Sequence, residues 1–293
     1  HVTGVQTCAL PIFLTRIFSV TMFYHFSFMA VSITMFGMTV GAIIVYLAKS
    51  CFPNHLAQKR MGQFSLLFAA LIVGTFFTHL SIPFVMKMKL IPLWSVAVNY
   101  FILSLPFVAS GITVSIALTQ FPERIGKLYA VDLIGAGLGC LATVVGLNYI
   151  DAPTLVLIIA LVAALGGISY LDKNSSKVQR YMGYSLTFAI FLLTLFCVYS
   201  SYKGSPQINL TWVKGKEEVR PLYEKWNAFS RIAVWDNDGF PDGWGISSRY
   251  LNTKPTKQKL LNIDAGASTS LTHFEKDPSE LDFLKYDITN AVH

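Results

Sequence analysis

The chain has 293 residues, of which 53% are hydrophobic and only 13% are charged. This composition, with a mean hydropathy of +0.52, excludes an ordinary soluble domain and indicates a protein that lies mostly in lipid. The formal net charge is +7 at pH 7, but residues 201–293 carry equal numbers of basic and acidic side chains. Because the excess belongs to loops between apolar segments, the sequence shows no nucleic-acid-binding footprint.

Residues 1–12, HVTGVQTCALPI, begin without methionine and lack the basic start and small-residue cleavage site of a signal peptide. The string resembles the translated sequencing-adapter read-through that occurs at the ends of proteins inferred from metagenome fragments. We therefore treat it as a non-native leader and exclude it from fold prediction. From Phe13 the chain continues partway through a first apolar helix. Its Arg16 is either an anchor at the membrane interface or half of a buried ion pair.

Six further apolar segments are long enough to cross the hydrocarbon core of a bilayer, which takes about 20 helical residues. They cover residues 24–48, 64–85, 91–119, 128–150, 152–171 and 181–201. For residues 13–201 we predict a membrane all-α helical bundle of about six complete spans plus a truncated first one, with the lipid bilayer as its partner. Pro92 and Pro106 predict that the third of the six is kinked or tilted.

Glycines four residues apart occur in two of these spans, as Gly37 with Gly41 and as Gly135 with Gly139. This small-xxx-small spacing lets two membrane helices approach closely. The run GAGLG at residues 135–139 also resembles the start of a nucleotide-binding loop, but no strand or turn precedes it. We interpret all four glycines as helix-packing positions.

Asp132 is the only charged residue within the span 128–150. A carboxylate at that depth is costly unless it faces a partner or a wet cavity. One hypothesis is a hydrogen-bonded packing acid that orients two helices, and the other is a proton or cation site. The packing role is favoured because nothing else in this helix titrates.

The distribution of basic loop residues predicts which side of the membrane each loop occupies. One side carries eight basic residues, and the opposite side has Lys87 and Lys89. The eight are Lys49, Lys59, Arg60, Arg124, Lys127, Lys173, Lys177 and Arg180. We expect an integral protein of a bacterial cytoplasmic membrane with these eight residues in the cytoplasm. The charge count then favours residues 202–293 outside, and their side stays open.

Residues 202–293 have the composition of a small β-rich soluble subdomain. Alternating patterns predict one hairpin from residues 229–235 and 244–250, and a second from residues 258–264 and 267–274. A C-terminal helix is predicted after Asp277, with apolar residues at helical spacing. Those residues are Leu281, Leu284, Ile288 and Val292.

Several segments, in order, resemble membrane-fused spermidine synthase-like proteins. In the membrane part they are LTRIFS at 14–19, YHF at 24–26 and the stretch 124–139, which contains LYAVDLIGA at 128–136. In the soluble part they are WNAFSRI at 226–232, IDAGA at 263–267 and LDFLKYDIT at 281–289. The resemblance covers essentially residues 13–293.

The resemblance implies a membrane domain, a β-rich lid and then a Rossmann domain that transfers an aminopropyl group from decarboxylated S-adenosylmethionine to a polyamine or other small amine. We expect the sequence to be cut at both ends, so that the Rossmann domain lies beyond His293, no catalytic residue is assignable and these residues alone are inactive. Asp264, Asp282 and Asp287 match segments that wall the amine pocket. They are either substrate-binding acids or ordinary turn and surface acids.

Two other functions fit the same residues. In a multi-span small-molecule or cation transporter, Asp132, Asn99 and His79 would line a path and the soluble tail would be regulatory. A membrane anchor for another protein is the third possibility. The cysteines and histidines have no metal-ligand spacing, so we predict no metal site.

Overall fold

The computed structural model describes residues 3–83, 90–171, 176–239, 241–243, 245–247, 250, 256–274 and 278–290. The chain divides into two compact units. The helical unit comprises residues 1–218 and 226–229, and the sheet unit comprises residues 219–225 and 230–293.

Within the described residues, the helical unit contains seven α-helices. They are α1 (Thr3–Thr21), α2 (Ser27–Leu47), α3 (Ala57–Ser81), α4 (Leu90–Gln120), α5 (Ile125–Gly146), α6 (Ala152–Ser169) and α7 (Lys177–Tyr202). The last six are long and apolar enough to cross a membrane, so the six predicted helical spans are confirmed as helices. The helix α1 is continuous through residues 3–12, although we treat residues 1–12 as a non-native leader and exclude them from fold prediction.

The helices extend beyond the apolar segments that predicted them. The second predicted span begins at Phe64, whereas α3 begins at Ala57 and includes Lys59 and Arg60. Such polar turns carry the helix out of the hydrocarbon, where hydropathy no longer marks it. α4 passes through Pro106 as one helix.

Glycines set the closest helix contact in this unit, between α2 and α4. A Cβ atom on Gly37 would lie 2.7 Å from the carbonyl oxygen of Ser104, and one on Gly41 would lie 2.5 Å from that of Val108. From the other side, a Cβ on Gly111 would lie 2.6 Å from the carbonyl oxygen of Met38. The two backbones can therefore touch only because these positions lack side chains.

α5 is a peripheral helix that packs against α1. Its buried residues are Gly135, Gly139 and Thr143, which lie on one face. The opposite face exposes large apolar side chains such as Leu133 and Leu138. This distribution is that of a helix with one packed face and one face toward lipid.

A short β-ribbon follows α7, formed by β1 (Trp212–Val213) and β2 (Lys216–Glu217). Its turn residues Lys214 and Gly215 both have positive φ, as a tight antiparallel turn requires. The backbone N–H of Lys214 donates to the carbonyl oxygen of Thr21 over 2.8 Å, which ties the ribbon to the end of α1.

The sheet unit is built on a four-stranded sheet with the order β3-β4-β5-β6. The strands are β3 (Tyr223–Trp226), β4 (Arg231–Asp236), β5 (Gln258–Ile263) and β6 (Ala267–Thr272). β4 pairs antiparallel with β5, and β5 pairs antiparallel with β6. The predicted hairpin of residues 258–264 and 267–274 corresponds to β5 and β6, joined by a turn at Asp264 and Ala265 with positive φ.

The other predicted hairpin is wrong. β4 pairs with β5, from Ile232 opposite Ile263 to Asp236 opposite Lys259, rather than with residues 244–250. The described residues of that segment form a turn and a single bridge from Ile246 to Asp287. Local alternation cannot distinguish two possible partners for one strand, since pairing depends on segments distant in sequence.

The predicted C-terminal helix is a 3₁₀-helix at Pro278–Tyr286 and a second 3₁₀ turn at Ile288–Asn290. The helix is interrupted at Asp287, which forms a β-bridge with Ile246. The N–H of Ile288 donates to the carbonyl oxygen of Gly245 over 3.1 Å. These long-range bonds replace the ones that an α-helix would make. Asp277 and Val292 lie outside the described residues.

Candidate functional site

Three polar side chains meet inside the helical unit. Thr21 ends α1, His79 lies in the last turn of α3, and Asn99 lies in the first half of α4. His79 Nδ1 is 2.9 Å from Asn99 Oδ1, and His79 Nε2 is 3.4 Å from Thr21 Oγ1. All three side chains are at most 5% exposed. This His79 cluster joins three helices that are far apart in sequence.

The hydrogen bonds around the His79 cluster fix which groups donate. The amide nitrogen of Asn99 donates to the carbonyl oxygen of Ser95 over 3.0 Å, so Asn99 Oδ1 is the acceptor for His79 Nδ1–H. The hydroxyl of Thr21 donates to the carbonyl oxygen of Ile17 over 2.9 Å. In neutral His79, Nε2 can only accept, and the Thr21 hydroxyl must choose between Nε2 and Ile17. The bonds to Asn99 and Ile17 are thus made with His79 neutral and its proton on Nδ1.

Asp132 lies far from the His79 cluster. Gly167, near the end of α6, contacts Leu66, in the first half of α3. The two helices are therefore antiparallel, and α6 begins on the side of the bundle where α3 ends. Gly146, at the end of α5, contacts Leu155 in the first turn of α6 and therefore lies on that same side. Asp132 precedes Gly146 by fourteen residues, or about 20 Å of helix. The three residues of the predicted path are not brought together.

Asp132 has one carboxylate oxygen, Oδ1, that is enclosed by protein and has no hydrogen-bond partner among the described residues. The residue is half-buried and lies three residues before Gly135, on the face of α5 that also buries Gly139 and packs on α1. Arg16 is half-buried in α1, five residues before its end. Arg16 and Asp132 thus belong to α1 and α5, two helices that pack against each other.

Asp264, Asp282 and Asp287, the three candidate amine-binding acids, differ in their contacts. Asp264 is in the β5–β6 turn, where its Oδ1 accepts from the backbone N–H of Arg231 over 2.7 Å. Asp282 is exposed and pairs with Lys285 over 2.6 Å. That hydrogen bond and the negative charge of Asp282 raise the pKa of the Lys285 ammonium above its ordinary value. Asp264 and Asp282 thus have the contacts of a turn acid and a surface acid.

Asp287 is 5% exposed and acts as an internal cap. Its Oδ1 accepts from both the N–H and the hydroxyl of Thr289, over 2.9 and 2.8 Å. A Cβ atom on Gly243 would lie 2.6 Å from Asp287 Oδ2, so the carboxylate is covered closely by backbone. Gly243 is next to Asp242, which hydrogen-bonds to Gln258, the first residue of β5. Asp264 instead follows Ile263, the last residue of β5. Asp287 and Asp264 therefore lie toward opposite ends of that strand.

A buried ion pair in the sheet unit was not anticipated from the sequence. Arg231 Nε donates to Glu224 Oε1 over 2.9 Å, and the two side chains are 2% and 8% exposed. Both residues are charged and lie in short strands, β3 and β4, so composition alone assigns them to the surface. The available signal was the position of Arg231 within the WNAFSRI segment that carries the family resemblance.

A cavity of about 390 Å³ opens on the sheet unit. Its acidic side chains are Asp236 and Asp238, and its basic or titratable ones are Lys257, Lys259 and His273. Lys259 Nζ is 3.9 Å from Asp236 Oδ1, and both side chains are more than half exposed. The cavity therefore offers polar groups of both signs to a small charged molecule.

Among the described residues, no group of three or more His, Cys, Asp or Glu side chains is arranged to hold a metal ion. No protein-family model matches the chain, and no curated protein and no solved structure matches it.

Proposed function

We propose that the chain supplies the membrane domain and the β-rich subdomain of a membrane-anchored spermidine synthase-like enzyme. In this role the full-length protein transfers an aminopropyl group from decarboxylated S-adenosylmethionine to a polyamine or other small amine. The observation that carries the proposal is the order of the two units, an apolar helical bundle followed by a small antiparallel sheet, with the family-like segments at defined positions in the sheet. WNAFSRI leads into β4, and IDAGA forms the β5–β6 turn.

The contacts of the acids change which residues are candidates for the amine. Asp264 and Asp287 accept internal hydrogen bonds through Oδ1, so we rank both below acids that line an open cavity. Asp236 and Asp238 line an open cavity instead. A cationic amine that enters this cavity would be attracted by the carboxylate of Asp238, whereas Asp236 is already paired with Lys259. For transfer, the ammonium first loses a proton, and the neutral nitrogen then bonds to the propyl carbon as the carbon–sulfur bond breaks. The sulfonium leaves as a neutral thioether.

The test is an aminopropyl-transfer assay with labelled decarboxylated S-adenosylmethionine and putrescine. It compares the 293-residue chain with the product of its complete reading frame, both in membranes. We expect transfer only by the longer product, because the family resemblance places the nucleoside-binding domain after the sheet. Asp238→Asn should raise KM for the amine at nearly unchanged kcat. A longer product with no transferase activity, or transfer by the 293-residue chain itself, would overturn the proposal.

A second candidate, a cation or small-molecule transporter, is favoured by one observation, the His79 cluster in the helical unit. The cluster gathers polar groups of three helices around one buried imidazole, as a polar site for a proton or cation inside a membrane domain requires. Proteoliposomes that contain the chain should then show proton-driven uptake of amine, lost in His79→Gln. If Asp132 lines the path, Asp132→Leu should abolish uptake and leave thermal stability unchanged. Absence of uptake by the unaltered protein rejects this candidate and leaves the transferase proposal intact.

A further inference from the structure

A cleft of about 350 Å³ lies between α2 and α4, at the end of the helical unit where α2 ends. One wall is formed by Ala42, Val45 and Tyr46 from α2, and the other by Ser115, Leu118 and Thr119 from α4. Its volume is within the range of about 300–1,000 Å³ that is usual for small-molecule sites. The cleft belongs entirely to the helical unit and shares no residue with the His79 cluster.

The cleft lies one turn beyond the glycine contact between the two helices. At Gly41 and Gly111 the backbones of α2 and α4 are too close to admit a Cβ atom. Four residues further along each helix, Val45 and Ser115 line the cleft. Val45 also packs with Ile112 and Ile116 in a buried hydrophobic cluster, so one wall of the cleft belongs to the core of the helical unit.

Two contacts lie at the open end of the cleft, and one of them positions the ammonium of Lys49. Gln120, the last residue of α4, donates through Nε2 to the carbonyl oxygen of Phe52 over 3.2 Å. Lys49 Nζ lies 4.8 Å from the centre of the Tyr46 ring, which favours the ammonium electrostatically. Lys49 is the only charged residue in the lining of this cleft, which is composed of described residues. The cleft is therefore apolar along the helices and positive at its end.

The loop side of the bundle next to the cleft also carries basic residues. The loop side of the bundle at which α2 ends also carries Lys59, Arg60 and Arg124, and the basic bias assigns it to the cytoplasmic leaflet. That leaflet contains the anionic lipids, and basic pockets between membrane helices on this side bind anionic lipid headgroups. Lys49 would repel a cationic amine substrate. A multiply charged soluble anion would need a second cation, and the described residues of the lining include none.

We propose that this cleft is a binding site for an anionic phospholipid. The phosphate lies against the ammonium of Lys49, and an acyl chain lies between α2 and α4 along Val45 and Leu118. The Tyr46 ring sits at the depth of the lipid headgroup, where an amphipathic ring is favoured. The site is independent of the proposed transferase or transporter activity, since it needs only the membrane helices.

The test uses the purified chain in detergent and native mass spectrometry, with phosphatidylglycerol and phosphatidylcholine of identical acyl chains as probes. We expect the unaltered protein to retain phosphatidylglycerol about fivefold more tightly, the factor that one basic residue contributes near an anionic headgroup. Lys49→Gln should bring the two lipids to equal affinity. Ser115→Leu, which fills the cleft without changing charge, should weaken both lipids.

Lys59→Gln is the matched control, because Lys59 lies on the same side and does not line the cleft. It should keep the preference for phosphatidylglycerol. Equal retention of the two lipids by the unaltered protein overturns the proposal, as does a preference that survives Lys49→Gln. An equal loss in Lys49→Gln and Lys59→Gln also overturns it, since a diffuse surface charge then explains the binding. If Ser115→Leu lowers the thermal unfolding temperature, the two lysine variants decide alone.

Discussion

The guanidinium of Arg231 donates to the carboxylate of Glu224 over 2.9 Å, and protein covers more than nine-tenths of both side chains. Burial of two ions is costly, but removal of one partner costs more, because the other is left as an uncompensated charge. This pair connects β3 with β4 at the start of the sheet. It also explains why an arginine occurs at the first residue of a strand whose next four residues are apolar.

The first prediction concerns that pair. Glu224→Gln should destabilise the sheet unit by about 3–5 kcal/mol, the range for breaking a buried ion pair. Hydrogen exchange of the amides of β4 and β5 in the intact chain measures the change as a loss of protection. Lys259→Gln is the control, since its pair with Asp236 is exposed and worth about 0–1 kcal/mol. Equal protection in the two variants would show that the buried pair is not needed by the sheet.

The second prediction concerns the crossing of α2 and α4. Gly41→Ala should destabilise the helical unit by about 1–3 kcal/mol, because the new Cβ lies 2.5 Å from a backbone oxygen and forces the helices apart. Gly137→Ala, in α5, has no atom within 4 Å of the new Cβ and should be neutral or slightly stabilising. Thermal aggregation in detergent separates the two variants. A stable Gly41→Ala protein would contradict the close contact.

The third prediction concerns the His79 cluster. Asn99→Leu leaves His79 Nδ1 without its acceptor inside the bundle and should cost about 1–2 kcal/mol, the range for hydrogen bonds between membrane helices. Thr78→Val is the control on the same helix, because the Thr78 hydroxyl is exposed and bonds only to Gly74 of its own helix. If both variants aggregate at the same temperature, the cluster does not hold the helices together.

The fourth prediction concerns the side of the membrane that carries the sheet unit. The count of basic loop residues places Ser205 outside and Cys51 inside. Both positions are exposed. In a background without other cysteines, Ser205→Cys should react with a membrane-impermeant thiol reagent in intact cells, whereas Cys51 should react only after permeabilisation. The reverse pattern would place the sheet unit in the cytoplasm, where decarboxylated S-adenosylmethionine is made.

The positions of the membrane helices were determined by the sequence itself. A bilayer-spanning helix needs about 20 apolar residues in a row, and that requirement is local, so each of the six long helices was visible as one segment. The β5–β6 hairpin was visible for the same reason, since both strands and their turn lie within residues 258–274. The glycine spacing in α2 marked a helix-packing face, although not the helix that packs there.

Contacts between distant segments were decided only by the tertiary structure. The meeting of Thr21, His79 and Asn99, the pairing of β4 with β5, and the cover over Asp287 each join residues that are separated in sequence. Periodicity shows which face of a helix or strand is buried, but not which partner buries it. The transporter hypothesis put Asp132, His79 and Asn99 on one path, whereas in the bundle α5 carries Asp132 toward the opposite end from the other two.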